Sequence, residues 1–169
     1  MKRKILLALL AFIILSSILY VSLPKDLEAP DFTLNVITEK GLTEEKVTLS
    51  NFKGKVIFLD FVMAWCPHCN NMASTIKALY ENFSNKGVIF ITVAGGDKVA
   101  TPELTSKFVR DHEISWKVLY DYNLSVFKAY NIEGTPTYII LDKSGKIFWK
   151  GIGEKSYEEL AKEIEKALS

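Results

Sequence analysis

Residues 56–69 read VIFLDFVMAWCPHC, an apolar run that leads directly into the two cysteines of the chain. The range Val56–Met63 is apolar except at Asp60, and most of its residues are β-branched or aromatic. This composition is typical of a strand that is buried on both faces, in a sheet covered by helices. After Pro67, apolar side chains recur at helical spacing to about Asn85, which predicts an amphipathic helix. Both cysteines therefore lie where a buried strand turns into a helix.

Strands and helices also alternate on either side of this unit. Val88–Val93 is a second buried strand, which would pair in parallel with the first across the intervening helix. Upstream, apolar residues alternate with polar ones over residues 32–36, as in a half-buried strand. We predict a turn over Thr38–Lys46 and a returning strand at Val47–Leu49, so that the domain starts with a β-hairpin.

Downstream, the same patterns predict six further elements. They are a helix from Thr101 to about His112, a short strand at 116–120, a short helix at 124–130, strands at 138–141 and 147–150, and a last helix that begins at a Ser156–Glu159 capping box. This order predicts one α/β domain at residues 25–169, with a central mixed sheet flanked by helices.

Cys66 and Cys69 are three residues apart at the start of the helix that follows the buried strand. That spacing brings both sulfurs into one helical turn, where they can form a disulfide. At a helix N-terminus, unpaired backbone N–H groups and the dipole favour an anion, which lowers the pKa of the Cys66 thiol. Pro67 suits the first helical position because it has no N–H to leave unpaired. We therefore expect Cys66 to be the reactive sulfur and Cys69 to resolve a mixed disulfide.

Three further residues are expected to tune or shield the dithiol. His68 would add a second stabiliser of the Cys66 thiolate, which makes the disulfide a better oxidant. Asp60 is costly to bury in an apolar strand, so we predict either a proton acceptor for Cys69 with a raised pKa or a structurally paired acid. Trp65 either shields the dithiol and contacts partners or simply packs against the core.

Two cysteines can also form a structural disulfide or bind a metal ion or a haem. A structural disulfide across so small a loop would remove little entropy from the unfolded chain. A zinc site would need His68 and His112 as well, and a second ligand pair at zinc-site spacing is missing. A c-type haem needs a histidine directly after the second cysteine, where this chain has Asn70. A copper-delivery or metal-binding module is the alternative function, since thiolates suit Cu(I).

Four segments of the chain together carry a family pattern. They are Ala29–Phe32 (APDF), Leu49–Lys55 (LSNFKGK), Ala64–Cys69 (AWCPHC) and Tyr130–Thr137 (YNIEGTPT). With them the chain resembles the thioredoxin superfamily, and within it the membrane-anchored thiol–disulfide oxidoreductases of the TlpA/ResA type. The resemblance covers roughly residues 29–168 and includes a helix-bearing insert around Thr101–Trp116.

The resemblance implies a thioredoxin-like fold and a function in thiol–disulfide exchange without a cofactor or a metal ion. It assigns Cys66 as the attacking cysteine and Cys69 as the resolving cysteine. Pro136 matches the cis-proline of the family, which faces the dithiol, and Thr135 before it would pair with an extended substrate segment. Trp65, Thr135 and Pro136 are therefore the predicted substrate-binding residues.

Two departures from the TlpA/ResA-type pattern concern the direction of electron flow. That pattern often has a glutamate three residues after the second cysteine, where this chain has Met72, and Asp60 would take its place. The dipeptide between the cysteines, Pro67-His68, resembles that of the oxidant DsbA. The sequence therefore leaves oxidase, reductase and isomerase activity open.

The N-terminus predicts export of the domain. Three basic residues precede Ile5–Leu23, a run of 19 uncharged and mostly apolar residues that ends at Pro24. As a helix this run would be about 28 Å long, close to the thickness of the bilayer core. We expect residues 1–24 to be an uncleaved signal anchor, which makes a single transmembrane helix with its N-terminus in the cytoplasm. The alternative is a cleaved signal peptide and secretion, and both place residues 25–169 on the extracytoplasmic side.

Composition narrows the range of partners. With 21 basic and 20 acidic residues, the net charge of +1 argues against binding to nucleic acid. The expected partners of this monomer are thiols and disulfides of proteins: secreted proteins, apocytochrome c or a membrane redox carrier. A thiol peroxidase is a weaker alternative, because APDF also begins peroxiredoxins but their P-x-x-x-T-x-x-C context is absent before Cys66.

Overall fold

The computed structural model describes residues 28–169. The predicted transmembrane helix at residues 1–24 lies outside the described residues. Among the helices of residues 28–169, none combines the length and the apolar character that crossing a membrane requires.

Seven strands form one sheet within the described residues. They are β1 (Thr33–Thr38), β2 (Gly41–Thr48), β3 (Ile57–Val62), β4 (Ile89–Gly95), β5 (Lys117–Asp121), β6 (Thr137–Leu141) and β7 (Ile147–Ile152), in the spatial order β2-β1-β5-β4-β3-β6-β7. The β3–β4 and β4–β5 pairs are parallel, and the other neighbouring pairs are antiparallel. The mixed sheet is confirmed, and β3 lies inside it with all six residues buried.

Helices cover both faces of this sheet. They are α1 (Pro67–Phe83), α2 (Pro102–Asp111), α3 (Ser125–Ala129) and α4 (Tyr157–Leu168). Apolar residues of α1 and α4 pack on one face, around Phe58 and Tyr138. Residues of α2 and α3 pack on the other face, around Leu59 and Phe61. The α/β layering follows from a central strand that is apolar on both sides.

The predicted helix signals are present at the ends of the helices. The Thr101 hydroxyl accepts a hydrogen bond from Leu104 N at 3.3 Å, which caps α2. Ser156 and Glu159 form both hydrogen bonds of the capping box before α4. After α1, a short 3-10 turn leads to Gly87, whose φ of +87° suits glycine and turns the chain toward β4.

The N-terminal hairpin forms, but the turn predicted over Thr38–Lys46 is wrong. β2 begins at Gly41, so Glu39 and Lys40 alone connect the two strands. β2 is the edge strand of the sheet, and five of its eight residues are polar or charged with most of them exposed. An edge strand with little buried surface lacks apolar alternation, and its sequence therefore resembles a loop.

Candidate active site

Cys66 is held at the N-terminus of α1 by hydrogen bonds on both sides of its backbone. It is the N-cap residue, in extended conformation, and Pro67 occupies the first helical turn. Cys66 N donates to Met63 O at 2.9 Å, and Cys66 O accepts from Asn70 N at 3.1 Å and Asn70 Nδ2 at 2.8 Å. The strand-to-helix junction therefore fixes the position of the sulfur.

The two thiols have opposite electrostatic environments. Burial works to raise the pKa of Cys66, but hydrogen bonds from the side chains of Thr135 and Cys69 and from the backbone N–H groups of Cys69 and His68 outweigh burial and lower it. Burial raises the pKa of Cys69 far above its ordinary value, and the hydrogen bond to Cys66 and the charge of Asp60 raise it further. Both cysteines are free thiols and are buried, at 4% and 2% exposure. Cys66 is therefore the sulfur that ionises first, and Cys69 holds its proton.

Thr135 and Pro136 lie against the dithiol, as the resemblance implies. The Thr135–Pro136 peptide bond is cis. The Cys66 thiol donates to Thr135 O at 3.4 Å, so the segment before the proline contacts the reactive sulfur directly. Gly153 N donates to Pro136 O at 2.8 Å, which holds this segment against the end of β7.

Asp60 lies in the middle of β3, on the sheet face that α1 covers. Its neighbours across the sheet are Thr92 in β4 and Tyr138 in β6. Burial raises the pKa of Asp60 to about 7, although a hydrogen bond from the Thr92 side chain partly opposes the increase. The charge of Asp60 also raises the pKa of Cys69, so the acid and the second cysteine of the motif interact electrostatically. A carboxyl group with a pKa near neutrality can accept and return a proton during turnover.

The His68 imidazole forms a hydrogen bond with an acidic side chain. His68 Nδ1 donates to Glu154 Oε1 at 2.7 Å, and Asn71 Nδ2 donates to the same oxygen at 3.0 Å. Hydrogen bonds from Asn71 and His68 lower the pKa of Glu154, so that this carboxyl is ionised. The contact that His68 makes with the Cys66 sulfur is through its backbone N–H.

Trp65 lies exposed at the rim of the site. Its side chain is 47% exposed, and its Nε1 donates to Asp97 Oδ2 at 3.4 Å. Asp97 also accepts from Val99 N and Ala100 N, which orders the loop after β4 beside the tryptophan. An indole in this position presents a large apolar surface next to the dithiol.

Sequence reasoning missed several residues that the fold brings to the site. Glu154 follows a glycine in a polar stretch, and no local pattern distinguishes it from a surface acid. Thr92 had a detectable signal, because it is the one hydroxyl in an apolar strand that pairs with the strand of Asp60. Asn70 entered the sequence analysis only as the residue that replaces the histidine of a haem site. In the structure its side chain donates to the Cys66 carbonyl and accepts from His112 Nε2 at 2.8 Å.

The copper-binding alternative gains no support from this geometry. Within residues 28–169, no three histidine, cysteine, aspartate or glutamate side chains lie together in a group that could hold a metal ion. The His68 ring, which would be the nearest additional ligand in the sequence, is engaged by Glu154.

A family profile described as Redoxin matches residues 24–168. The chain belongs to the Redoxin family. Thiol-disulfide oxidoreductase ResA of Bacillus thuringiensis subsp. konkukian (strain 97-27) is 32% identical over 139 residues, which are 82% of this chain and 76% of that protein. ResA of Halalkalibacterium halodurans is 31% identical over 135 residues, covering 78% and 74% of the two chains.

Solved structures of Redoxin-like proteins share the fold. A candidate thiol:disulfide interchange protein DsbE from Chlorobium tepidum superposes with a TM-score of 0.76 at 28% identity, covering 88% of this chain and 100% of that one. The thioredoxin domain of a thiol-disulfide oxidoreductase from Bacteroides vulgatus gives a TM-score of 0.71 at 26% identity, with the same coverage. The thioredoxin-like fold and the ResA-type resemblance are thus confirmed, and this Redoxin is a thiol–disulfide oxidoreductase.

Proposed function

We propose that this protein is a membrane-anchored, extracytoplasmic oxidoreductase that reduces disulfides in partner proteins through Cys66 and Cys69. One observation carries the proposal: a pair of thiols in one helical turn, the outer with a lowered pKa and the inner with a raised pKa. Such a pair separates a sulfur that attacks from a sulfur that waits in protonated form. Membership of the Redoxin family and similarity to ResA support the same chemistry.

The reaction balances on sulfur alone. The Cys66 thiolate attacks one sulfur of a partner disulfide, a mixed disulfide forms, and the other partner sulfur leaves as a thiolate that takes a proton. Cys69 then gives up its proton and attacks the Cys66 sulfur. The Cys66–Cys69 disulfide forms, the bond to the partner breaks, and the second partner thiol is released. Two electrons have passed from the dithiol to the partner, so no cofactor enters the cycle.

The hydrogen bond between His68 and Glu154 favours reduction over oxidation. A free imidazolium next to Cys66 would stabilise the thiolate further and make the disulfide a stronger oxidant. Here the imidazole donates to the Glu154 carboxylate at 2.7 Å, so a negative charge lies directly beside the ring. The Cys66 thiolate is therefore stabilised mainly by hydrogen bonds, and the dithiol remains a ready electron donor.

The test of direction is the reduction potential of the Cys66–Cys69 pair, measured by equilibration with glutathione and quantified by mass spectrometry of alkylated thiols. We expect a value toward the reducing end, in the range of about −200 to −270 mV that includes glutaredoxins and thioredoxin. A value near the roughly −120 mV of DsbA would reverse the proposed direction.

The location and the partners complete the proposal. The basic residues and the uncharged run before Pro24 support a single-pass signal anchor, with the domain outside the cytoplasm as a monomer. Secreted proteins, apocytochrome c and a membrane redox carrier are the partners that such a location offers. Fractionation of cells that express the full chain tests the anchor: the protein should sediment with membranes at full mass and be accessible to external protease. Recovery of a shortened, soluble chain would favour cleavage and secretion.

A further inference from the structure

Two residues outside the motif are linked to Asp60 by hydrogen bonds. Trp116 Nε1 donates to Thr92 Oγ1 at 2.9 Å, and Thr92 Oγ1 donates to Asp60 Oδ2 at 3.4 Å. We propose that Trp116 and Thr92 are positioning residues that hold one oxygen of Asp60 and leave its other oxygen to take the proton of Cys69. This inference rests on the proposed function, because it concerns the step in which Cys69 resolves a mixed disulfide.

The direction of these hydrogen bonds follows from the chemistry of the groups. An indole N–H can only donate, so the Thr92 oxygen must accept from Trp116. With a lone pair engaged in that way, the Thr92 hydroxyl hydrogen is directed to the remaining acceptor, Asp60 Oδ2. Polarisation by the indole also strengthens the second hydrogen bond, since hydrogen bonds in a chain reinforce each other.

The other oxygen of Asp60 is buried without a hydrogen-bond partner among the described residues. The groups that face Asp60 come from three elements: Thr92 from β4, Tyr138 from β6, and Cys66 and Cys69 from α1. The Tyr138 hydroxyl is likewise buried without a partner, and it interacts electrostatically with Asp60 and with both cysteines. Among the described residues, Oδ1 is therefore the oxygen of Asp60 that no hydrogen bond occupies.

In the step concerned, the S–H bond of Cys69 breaks and its proton passes to Asp60 Oδ1. The resulting thiolate attacks the Cys66 sulfur of the mixed disulfide, and the partner thiolate leaves. A carboxylate that retains the donor Thr92 is ionised at lower pH than one that has lost it, because the hydrogen bond stabilises the anion. Thr92 and Trp116 thus set the pH above which resolution is fast.

The step can be followed with an aromatic disulfide whose thiol is chromophoric. Attack by Cys66 releases a first equivalent of the aryl thiol, and attack by Cys69 releases a second. The rates of both phases are measured against pH for the reduced full chain and for three variants, Thr92→Val, Thr92→Ser and Trp116→Phe. Valine matches threonine in shape but lacks the hydroxyl, and serine keeps the hydroxyl. Trp149→Phe is the matched control, because Trp149 is also a half-buried tryptophan that packs on the same face but lies outside this hydrogen-bond chain.

In Thr92→Val the pH midpoint of the second phase is expected to rise by about one unit, which slows resolution about tenfold at about pH 6. Trp116→Phe is expected to raise the pH midpoint of the second phase by about half a unit. Thr92→Ser and Trp149→Phe are expected to leave that midpoint unchanged. The first phase reports on Cys66, and it is expected to be the same in every variant.

An unmoved second-phase midpoint in Thr92→Val, or an equal shift in Trp116→Phe and Trp149→Phe, would overturn the inference. If Thr92→Val does not fold, the comparison of Trp116→Phe with Trp149→Phe decides alone. Loss of the first phase in the unaltered chain would instead contradict the proposed function, so the two failures are distinguishable.

Discussion

Replacement of Asp60 by asparagine is expected to stabilise the reduced protein at alkaline pH. The carboxyl is buried, with one oxygen bonded to Thr92 and the other without a partner among the described residues. Asparagine has nearly the same shape, can still accept from Thr92 and carries no charge at any pH. The substitution therefore removes the cost of burying a carboxylate and changes little else.

The size of the effect follows from the pKa of Asp60, which burial raises from an ordinary 3.8 to about 7. Below pH 3.8 the carboxyl is protonated in both the folded and the unfolded chain. Between 3.8 and 7 the unfolded chain releases the proton and the folded chain keeps it, so the free energy of unfolding falls as pH rises. At 1.36 kcal/mol per pH unit, the full loss is roughly 4 kcal/mol above pH 7.

The assay is urea unfolding of the reduced wild-type and Asp60→Asn proteins at about pH 5 and about pH 8.5. The stability advantage of the asparagine variant is expected to grow by about 3 kcal/mol between these two values. Asp121→Asn is the contrasting control: that buried carboxylate accepts hydrogen bonds from Ser125, Val126 and Phe127 at the start of α3, so its loss is expected to destabilise by about 1–2 kcal/mol. An advantage of Asp60→Asn that does not change with pH would refute the assigned cause.

Other substitutions test the remaining parts of the argument. Cys69→Ser is expected to accumulate a stable mixed disulfide with substrate, detectable as an adduct by intact mass, whereas Cys66→Ser is expected to form no adduct and to lose all exchange activity. Retained exchange in Cys66→Ser would contradict its role as the attacking sulfur. Glu154→Gln is expected to remove the negative charge beside the His68 ring and to move the reduction potential toward the oxidising end, as measured against glutathione; an unchanged or more reducing value would argue against the His68–Glu154 contact as a determinant of direction. Phe58→Ala is expected to destabilise the domain by about 3–5 kcal/mol in denaturant unfolding, because Phe58 is fully buried between Phe90 and Tyr138; a loss below about 1 kcal/mol would show that the site collapses around the missing ring.

Much of the architecture was accessible to prediction because its signals are local. The apolar run of β3, the spacing of apolar residues in α1 and the capping box of α4 each lie within a short stretch of chain, and each forms as predicted. The hairpin turn was the main error. The edge strand β2 pairs with β1 through backbone hydrogen bonds, and its polar side chains show no pattern typical of a strand. Elements with enough apolar residues can be predicted from the sequence, the edge strand β7 among them, and the mainly polar edge strand β2 cannot.

At the site, too, local features could be predicted from the sequence and contacts between distant segments could not. The position of Cys66 at the start of a helix predicts a lowered pKa, because the backbone amides of Cys69 and His68 belong to its own helix. The largest lowering contribution, however, is a hydrogen bond from the Thr135 side chain, which only the fold brings to the sulfur. The imidazole of His68 was expected to act on the neighbouring sulfur, but it pairs with Glu154, 86 residues away in the chain. Adjacency in sequence says little about where a long side chain points when an oppositely charged partner is within reach.

The dithiol, its helix and the buried strand before it are consequences of amino-acid order within the single stretch of residues 57–83, since helix and strand periodicity act at short range. The surroundings of Asp60 have a different origin. Thr92 lies opposite Asp60 because β3 and β4 pair in parallel, and Trp116, which bonds Thr92, directly precedes β5 on the far side of β4. Tyr138 lies opposite Asp60 on the other side, where β6 pairs antiparallel with β3. Burial in that sheet raises the pKa of the carboxyl, and burial is a property of the packed layers as a whole rather than of any one segment.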